Sequence, residues 1–198
     1  MIVANHVSWA DILVLGSIGE ICFVAKDEVR TMPGVSQLAR LQRTVFVRRE
    51  KKREAAVQAD TIASRLLEGD AMVLFPEGTT GNGNKLLGFK SALFGAPLMA
   101  MEQAGIETIF VQPVAIAYNT LHGMPLGRYH QTMASWPGDI ELAPHLAEFF
   151  RQGAFDVDVS LGECISVDNT ATRKEITARC FEAVRQEFSK MRRLYHRD

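Results

Sequence analysis

The 198-residue chain has only three cysteines, Cys22, Cys164 and Cys180, and no C-x-x-C pair. Neither a disulfide framework nor a zinc site is expected on that spacing, and a reducing compartment fits best. His122, His130 and His145 also lack ligand spacing, so no metal site is expected. No apolar run approaches the roughly 18 residues that a membrane-spanning helix needs. Met1 has neither a basic flank nor a long apolar core behind it, so no secretory leader is expected. The net charge of -1 gives no bulk attraction to nucleic acid, and none is expected as a partner. Repeats, low-complexity tracts and Gly/Ser linkers are absent too. A single domain over residues 1–198 is the simplest organisation.

What is present is an ordinary globular composition, 47% apolar and 23% charged. Short apolar runs alternate with helical patterns. Ile2–Ala4, Ile21–Ala25, Thr44–Val47 and Ala71–Phe75 read as strands, the last stopped by Pro76. Thr108–Ile116 reads as one strand interrupted at Pro113 or as a strand pair, and Phe155–Leu161 as a half-buried strand. Helices are expected over Asp11–Ile18, capped by Ser8 or Asp11, and over Val35–Leu41, Glu54–Glu68, Ser91–Gln103 and Thr172–Tyr195. Met32-Pro33-Gly34 reads as a turn. Leu121–Pro144, rich in Gly, Pro, Trp and His, reads as an excursion from the core. The alternation predicts an α/β fold with a mostly parallel central sheet flanked by helices.

Three constellations carry chemistry. His6 and Asp11 would lie about 140° apart on one continuous helix, at roughly 100° per residue. They meet only if His6 stands in the loop before the helix and Asp11 in its first turn. Asp11 then holds one ring nitrogen and leaves the other as a base. The ordinary alternative is a surface histidine and a capping aspartate. In Leu74–Gly83, glycines follow a strand end, where the backbone can approach a ligand closely. Backbone N–H groups with Thr79 and Thr80 can cradle a phosphate, and Glu77 can accept from ligand hydroxyls. A plain strand-to-helix turn is the alternative, and no P-loop spacing is present. Arg40–Arg53 holds seven arginines and lysines against the single acid Glu50. Arg48 and Arg49, at a strand end, suit an anion, whereas Lys51 to Arg53 read as a solvated helix start. The stretch also suits anionic lipid headgroups. Lys85 and Lys90 are weaker anion candidates. Trp9, Trp136, Tyr129 and Phe149-Phe150 mark either an apolar groove, a membrane-facing edge or core.

Taken together, Asn5-His6-x4-Asp11, Phe46-Val47-Arg48-Arg49, Phe75-Pro76-Glu77-Gly78-Thr79 and Val111-Gln112-Pro113-Val114 occur in one order. This pattern resembles the glycerolipid acyltransferase family, which includes bacterial 1-acyl-glycerol-3-phosphate acyltransferase. The resemblance implies that fold and a chemistry. His6 would be the general base and Asp11 its holder. Arg49, Arg48, Glu77, Gly78 and Thr79 would bind the acceptor, with Lys85 in reserve. The acceptor hydroxyl would attack an acyl thioester directly. No cofactor is implied beyond acyl-CoA or acyl carrier protein as co-substrate.

The implied reaction converts lysophosphatidic acid to phosphatidic acid in phospholipid biosynthesis. The implied partners are a lysophospholipid and a membrane surface, at the cytoplasmic face of the inner membrane. Two departures matter. Thr80 stands where many members carry an arginine, which makes a lyso-ornithine lipid an alternative acceptor. Only Met1–Ala4 precede the first block, so an upstream membrane-anchoring segment is expected to be missing. A non-catalytic lipid-binding module is the third reading.

Overall fold

The structure is a computed structural model that describes residues 1–31, 35–47, 52–138 and 140–195. The elements are β1 (Ile2–Ala4), α1 (Asp11–Gly16), β2 (Cys22–Lys26), α2 (Val35–Leu41), β3 (Val45–Val47), α3 (Lys52–Leu67) and β4 (Met72–Leu74). There follow α4 (Gly95–Ala104), β5 (Thr108–Leu121), β6 (Met124–Pro125), α5 (Leu142–Gln152), β7 (Phe155–Leu161), β8 (Ile165–Asp168) and α6 (Arg173–Tyr195). The sheet runs β3-β2-β4-β1-β5-β6, and β7 and β8 also pair with β5. The pairs from β3 through to β1–β5 are parallel, whereas β6, β7 and β8 join β5 antiparallel. The expected mostly parallel α/β sheet is therefore present.

Burial explains the strand sequences. β1 lies between β4 and β5, and Val3 and Ala4 are wholly buried. Such a two-sided strand carries apolar residues at consecutive positions rather than at alternate ones. Val3, Cys22, Val24, Val45, Met72 and Leu74 face one core cluster with α3, α4 and α6 residues. Ala4, Phe23, Val73 and Phe75 face a second cluster with α1 residues and Tyr118. The three cysteines are free.

Several elements differ from the expectations. The first helix stops at Gly16; Ser17 is its C-cap, and the Ser17 hydroxyl donates to the Val14 carbonyl at 2.7 Å. Neither Ser8 nor Asp11 caps it; Ala10 is the N-cap and makes no side-chain bond. Thr108–Leu121 is one strand, and Pro113 does not break it. β8 pairs with residues 108–111 and β7 with 114–121, so the missing N–H of proline falls between two partners. α5 and β8 were not expected. Pro144 conceals α5, but it sits in the first turn, where N–H groups have no helical partner. The 32–34 turn lies outside the described residues.

Candidate active site

β1 delivers the chain to the carboxyl edge of the sheet, where open α/β sheets bind ligands. Asn5 ends the strand by using its side chain as backbone. Its amide donates to the Ile116 carbonyl at 3.0 Å and accepts from the Ile116 N–H at 2.7 Å. His6 then leaves the sheet. A turn closed by Asp11 N–H donating to Ser8 O at 3.1 Å starts α1 and brings Asp11 back over the loop. Asp11 Oδ2 accepts from His6 Nδ1 at 2.8 Å, Val7 N at 2.7 Å and Ser8 N at 3.0 Å. Its Oδ1 accepts from the Tyr118 hydroxyl at 2.9 Å.

Four donors on two oxygens describe a carboxylate, held without solvent exposure. Because Oδ2 accepts, His6 Nδ1 is the donor, and Nε2 keeps its lone pair. No described residue hydrogen-bonds Nε2. The Phe75 ring stacks on the imidazole with centroids 4.1 Å apart and planes 15° apart. The His6 side chain stays 19% exposed, which leaves its free edge open to a ligand. Burial first, and the Asp11 charge next, hold the Tyr118 phenol well above its ordinary range, so it remains a donor.

The 75–81 loop packs beside this pair. Pro76 ends β4, and its carbonyl accepts from Lys90 N at 2.8 Å, which closes the long loop at its base. Gly78 and Gly83 adopt φ of 76° and 72°, the left-handed region that suits glycine. Gly81 N donates to His6 O at 2.8 Å. Glu77 is buried, and its Oε1 accepts from His6 N at 3.3 Å. Burial pushes its carboxyl up from 4.5 to about 8, against the pull of backbone N–H groups of His6 and Leu87. Glu77 therefore ties the two loops together. The expectation that it faces ligand hydroxyls places it further out than the structure does. Thr79 is half-buried, and its hydroxyl lies against Gly138.

Other expected residues fall elsewhere. Arg48 and Arg49 lie outside the described residues. Lys85 is exposed on the loop and forms no ion pair among the described residues. The Leu121–Pro144 excursion is pinned to the site. Trp136 N donates to Val7 O at 2.9 Å, and Thr80 Oγ1 donates to the Trp136 carbonyl. Gln131, fully buried, donates to the Tyr118 carbonyl at 2.8 Å. Beyond it, Trp9 Nε1 donates to His145 Nδ1 at 3.1 Å, and His145 Nε2 donates to Ser135 O at 2.9 Å. Trp9 also meets Phe149 edge-on at 5.0 Å. Sequence reasoning missed Tyr118, Gln131 and the Asn5 clasp. The signal for Tyr118 is a run of polar residues inside an otherwise apolar strand, Tyr118-Asn119-Thr120; Asn5 stands in the first motif without this role, and Gln131 has no signal.

The family model described as "Acyltransferase" matches residues 1–117. The chain is 50% identical over 186 residues to a "Lyso-ornithine lipid O-acyltransferase" of Rhizobium meliloti (strain 1021), across 94% of this chain and 64% of that protein. It is 51% identical over 176 residues to the protein of the same name in Brucella abortus (strain 2308), across 89% and 66%. The chain thus spans just under two thirds of the length of these curated relatives. A crystal structure of the 1-acyl-sn-glycerophosphate (LPA) acyltransferase PlsC from Thermotoga maritima superposes with a TM-score of 0.61. That match has 26% identity and covers 96% of this chain and 65% of the other.

Proposed function

Since this chain belongs to the acyltransferase family, we propose that it moves a fatty acyl group from a thioester to the free hydroxyl of a lyso-ornithine lipid. The observation that carries acyl transfer is the His6–Asp11 pair at 2.8 Å, with Nε2 free and open. His6 Nε2 takes the proton of the acceptor hydroxyl as its oxygen attacks the thioester carbonyl. The new C–O bond forms, the C–S bond breaks, and the imidazolium returns the proton to the leaving thiolate. Asp11 orients the ring and stabilises its charged form. No acyl-enzyme is needed. A lipid-binding module that performs no chemistry has no use for an oriented base, which argues against that reading.

The donor in this reading is acyl-CoA or acyl carrier protein. Arg48, Arg49, Gly78, Thr79 and Lys85 remain the candidates for holding the acceptor's polar head, and Glu77 for fixing the loop that carries Gly78, Thr79 and Lys85. The choice of acceptor is supported by relatives of that name at 50% and 51% identity over most of the chain. Thr80, which stands where many glycerolipid enzymes carry an arginine, agrees with it. Lysophosphatidic acid is the second reading, favoured by the structural match at 26% identity. A lipid acceptor places the reaction at a membrane surface, the cytoplasmic face in our reading. Among the described residues no helix is long and apolar enough to cross a membrane. Exposed Leu13, Ile18 and Phe150 are candidates for apolar contact with such a surface.

The test offers the purified protein, in mixed micelles, lyso-ornithine lipid and lysophosphatidic acid with each donor. Ornithine lipid is the expected product. Acylation of lysophosphatidic acid alone would transfer the conclusion to the second reading.

A further inference from the structure

Resting on the reading of a thioester-dependent acyl transfer, we propose that an arginine-lined pocket at the edge strand β3 receives the phosphate of a phosphopantetheine acyl donor. The pocket is an open cavity of about 490 Å³ lined by Arg30, Arg40, Arg43, Thr44, Phe46 and Arg65. Its charge is only partly answered. Asp70 takes Arg43 at 3.0 Å and also Arg65, and Glu68 stands 4.0 Å and 3.7 Å from the same two. Asp27 pairs with Arg30 at 3.2 Å. Arg40 is exposed and has no ion pair among the described residues, so four guanidinium groups meet three carboxylates. The Arg30 guanidinium lies 4.8 Å over the Phe46 ring, which holds its fork in a fixed plane. A planar fork beside an unpaired guanidinium is the donor set that a phosphate dianion binds.

Strand register connects this pocket to the base. β2 pairs Ala25 with Phe46, and it pairs Phe23 with Val73 of β4. Two residues further along that register, Ala25 comes level with Phe75. β1 pairs Val3 with Leu74, which brings Ala4 level with Phe75 as well. Phe46, Ala25, Phe75 and Ala4 therefore form one row, and residues in one row share a face of the sheet. It is the face on which Phe75 stacks against His6. The Phe46 wall of the pocket stands two strand spacings from Phe75 and three from Ala4, about 10 and 14 Å at roughly 4.8 Å each. A pantetheine arm, two amides ending in a thiol, has the chain length of roughly four extended residues, about 14 Å. With its phosphate in the arginine pocket, the arm reaches along this face and presents the thioester at His6. CoA and the prosthetic group of a carrier protein share this phosphate and this arm.

The experiment measures KM of the full chain for the same acyl group on CoA, on carrier protein and on pantetheine, which lacks the phosphate. The wild type should show a KM for acyl-pantetheine roughly tenfold above that of a phosphate-bearing donor, the worth of one charge-assisted hydrogen bond. Arg40→Glu and Arg30→Ala should abolish that preference by raising KM for the phosphate-bearing donor, and Arg40→Lys should retain most of it. A loss seen only with acyl-CoA assigns the pocket to the phosphates of CoA; a loss seen only with carrier protein assigns it to the phosphodiester of the carrier. Full preference in both Arg40→Glu and Arg30→Ala overturns the pocket and leaves His6 chemistry standing. Wild type that uses no thioester at all overturns both.

Discussion

At the scale of residues, Glu77 and Asp11 show how two buried carboxyls are held in opposite ways. Asp11 is met by four donors, whereas Glu77 has fewer and is kept protonated by burial. The folded chain keeps the Glu77 proton up to about pH 8, and the unfolded chain loses it near 4.5. The folded state therefore binds more protons across that window, and stability falls as pH rises through it. Glu77→Gln keeps an acceptor for the His6 and Leu87 N–H groups and removes the titration. Urea melts should find the variant close to wild type at pH 4. At pH 8.5 it should be more stable by a few kcal/mol, since each tenfold change in proton affinity is worth roughly 1.4 kcal/mol. Parallel pH profiles for the two proteins would refute this account of Glu77. The His6–Asp11 pairing was legible in the sequence because it is local, a strand end followed by a helix start. Tyr118 was not, since it reaches Asp11 from 107 positions away through pairing of β5 with β1.

At the scale of elements, the loops after β1 and β4 and the segment that covers them form one tied structure. Gly83 is the tightest point. It has φ of 72°, and a Cβ there would stand 2.7 Å from Gln131 Oε1 and 3.3 Å from Val7. Gln131 in turn holds the Tyr118 carbonyl. Gly83→Ala is expected to cost about 1–3 kcal/mol through backbone strain and the displaced amide. A thermal melt and a circular dichroism spectrum check this; an unchanged melting temperature would show the loop to be slack. The glycines of this loop were visible as a ligand-approach signal, yet the structure uses Gly83 to admit a protein side chain. Likewise the Leu121–Pro144 excursion was legible as irregular but not as a wall. Its bonds to Val7 and Thr80 run through the Trp136 backbone, which no side-chain pattern announces. Pro113 and Pro144 misled for a single reason. Each stands where a missing N–H costs nothing, at a change of strand partner and in a first helical turn.

At the scale of the whole molecule, a parallel sheet places β1 and β4 side by side, so that one edge carries the base, its stacking partner Phe75 and the glycine loop. The same edge faces Trp9 and Phe149, an apolar flank suited to a lipid chain. The parallel order was readable from alternating strands and helices. Of the antiparallel additions, β7 was legible as a strand at its full extent; β6 and β8, four residues or shorter, were not, and the antiparallel pairing of all three depends on the one long strand β5. The account stands on His6 as the base for a lyso-ornithine acceptor. The most direct measurement is formation of ornithine lipid by wild type and by His6→Ala with the same acyl donor, alongside their melting curves. We predict product from wild type and a loss of at least about 10²-fold in the variant, with melting retained. Comparable ornithine lipid formation by a folded His6→Ala protein would contradict it.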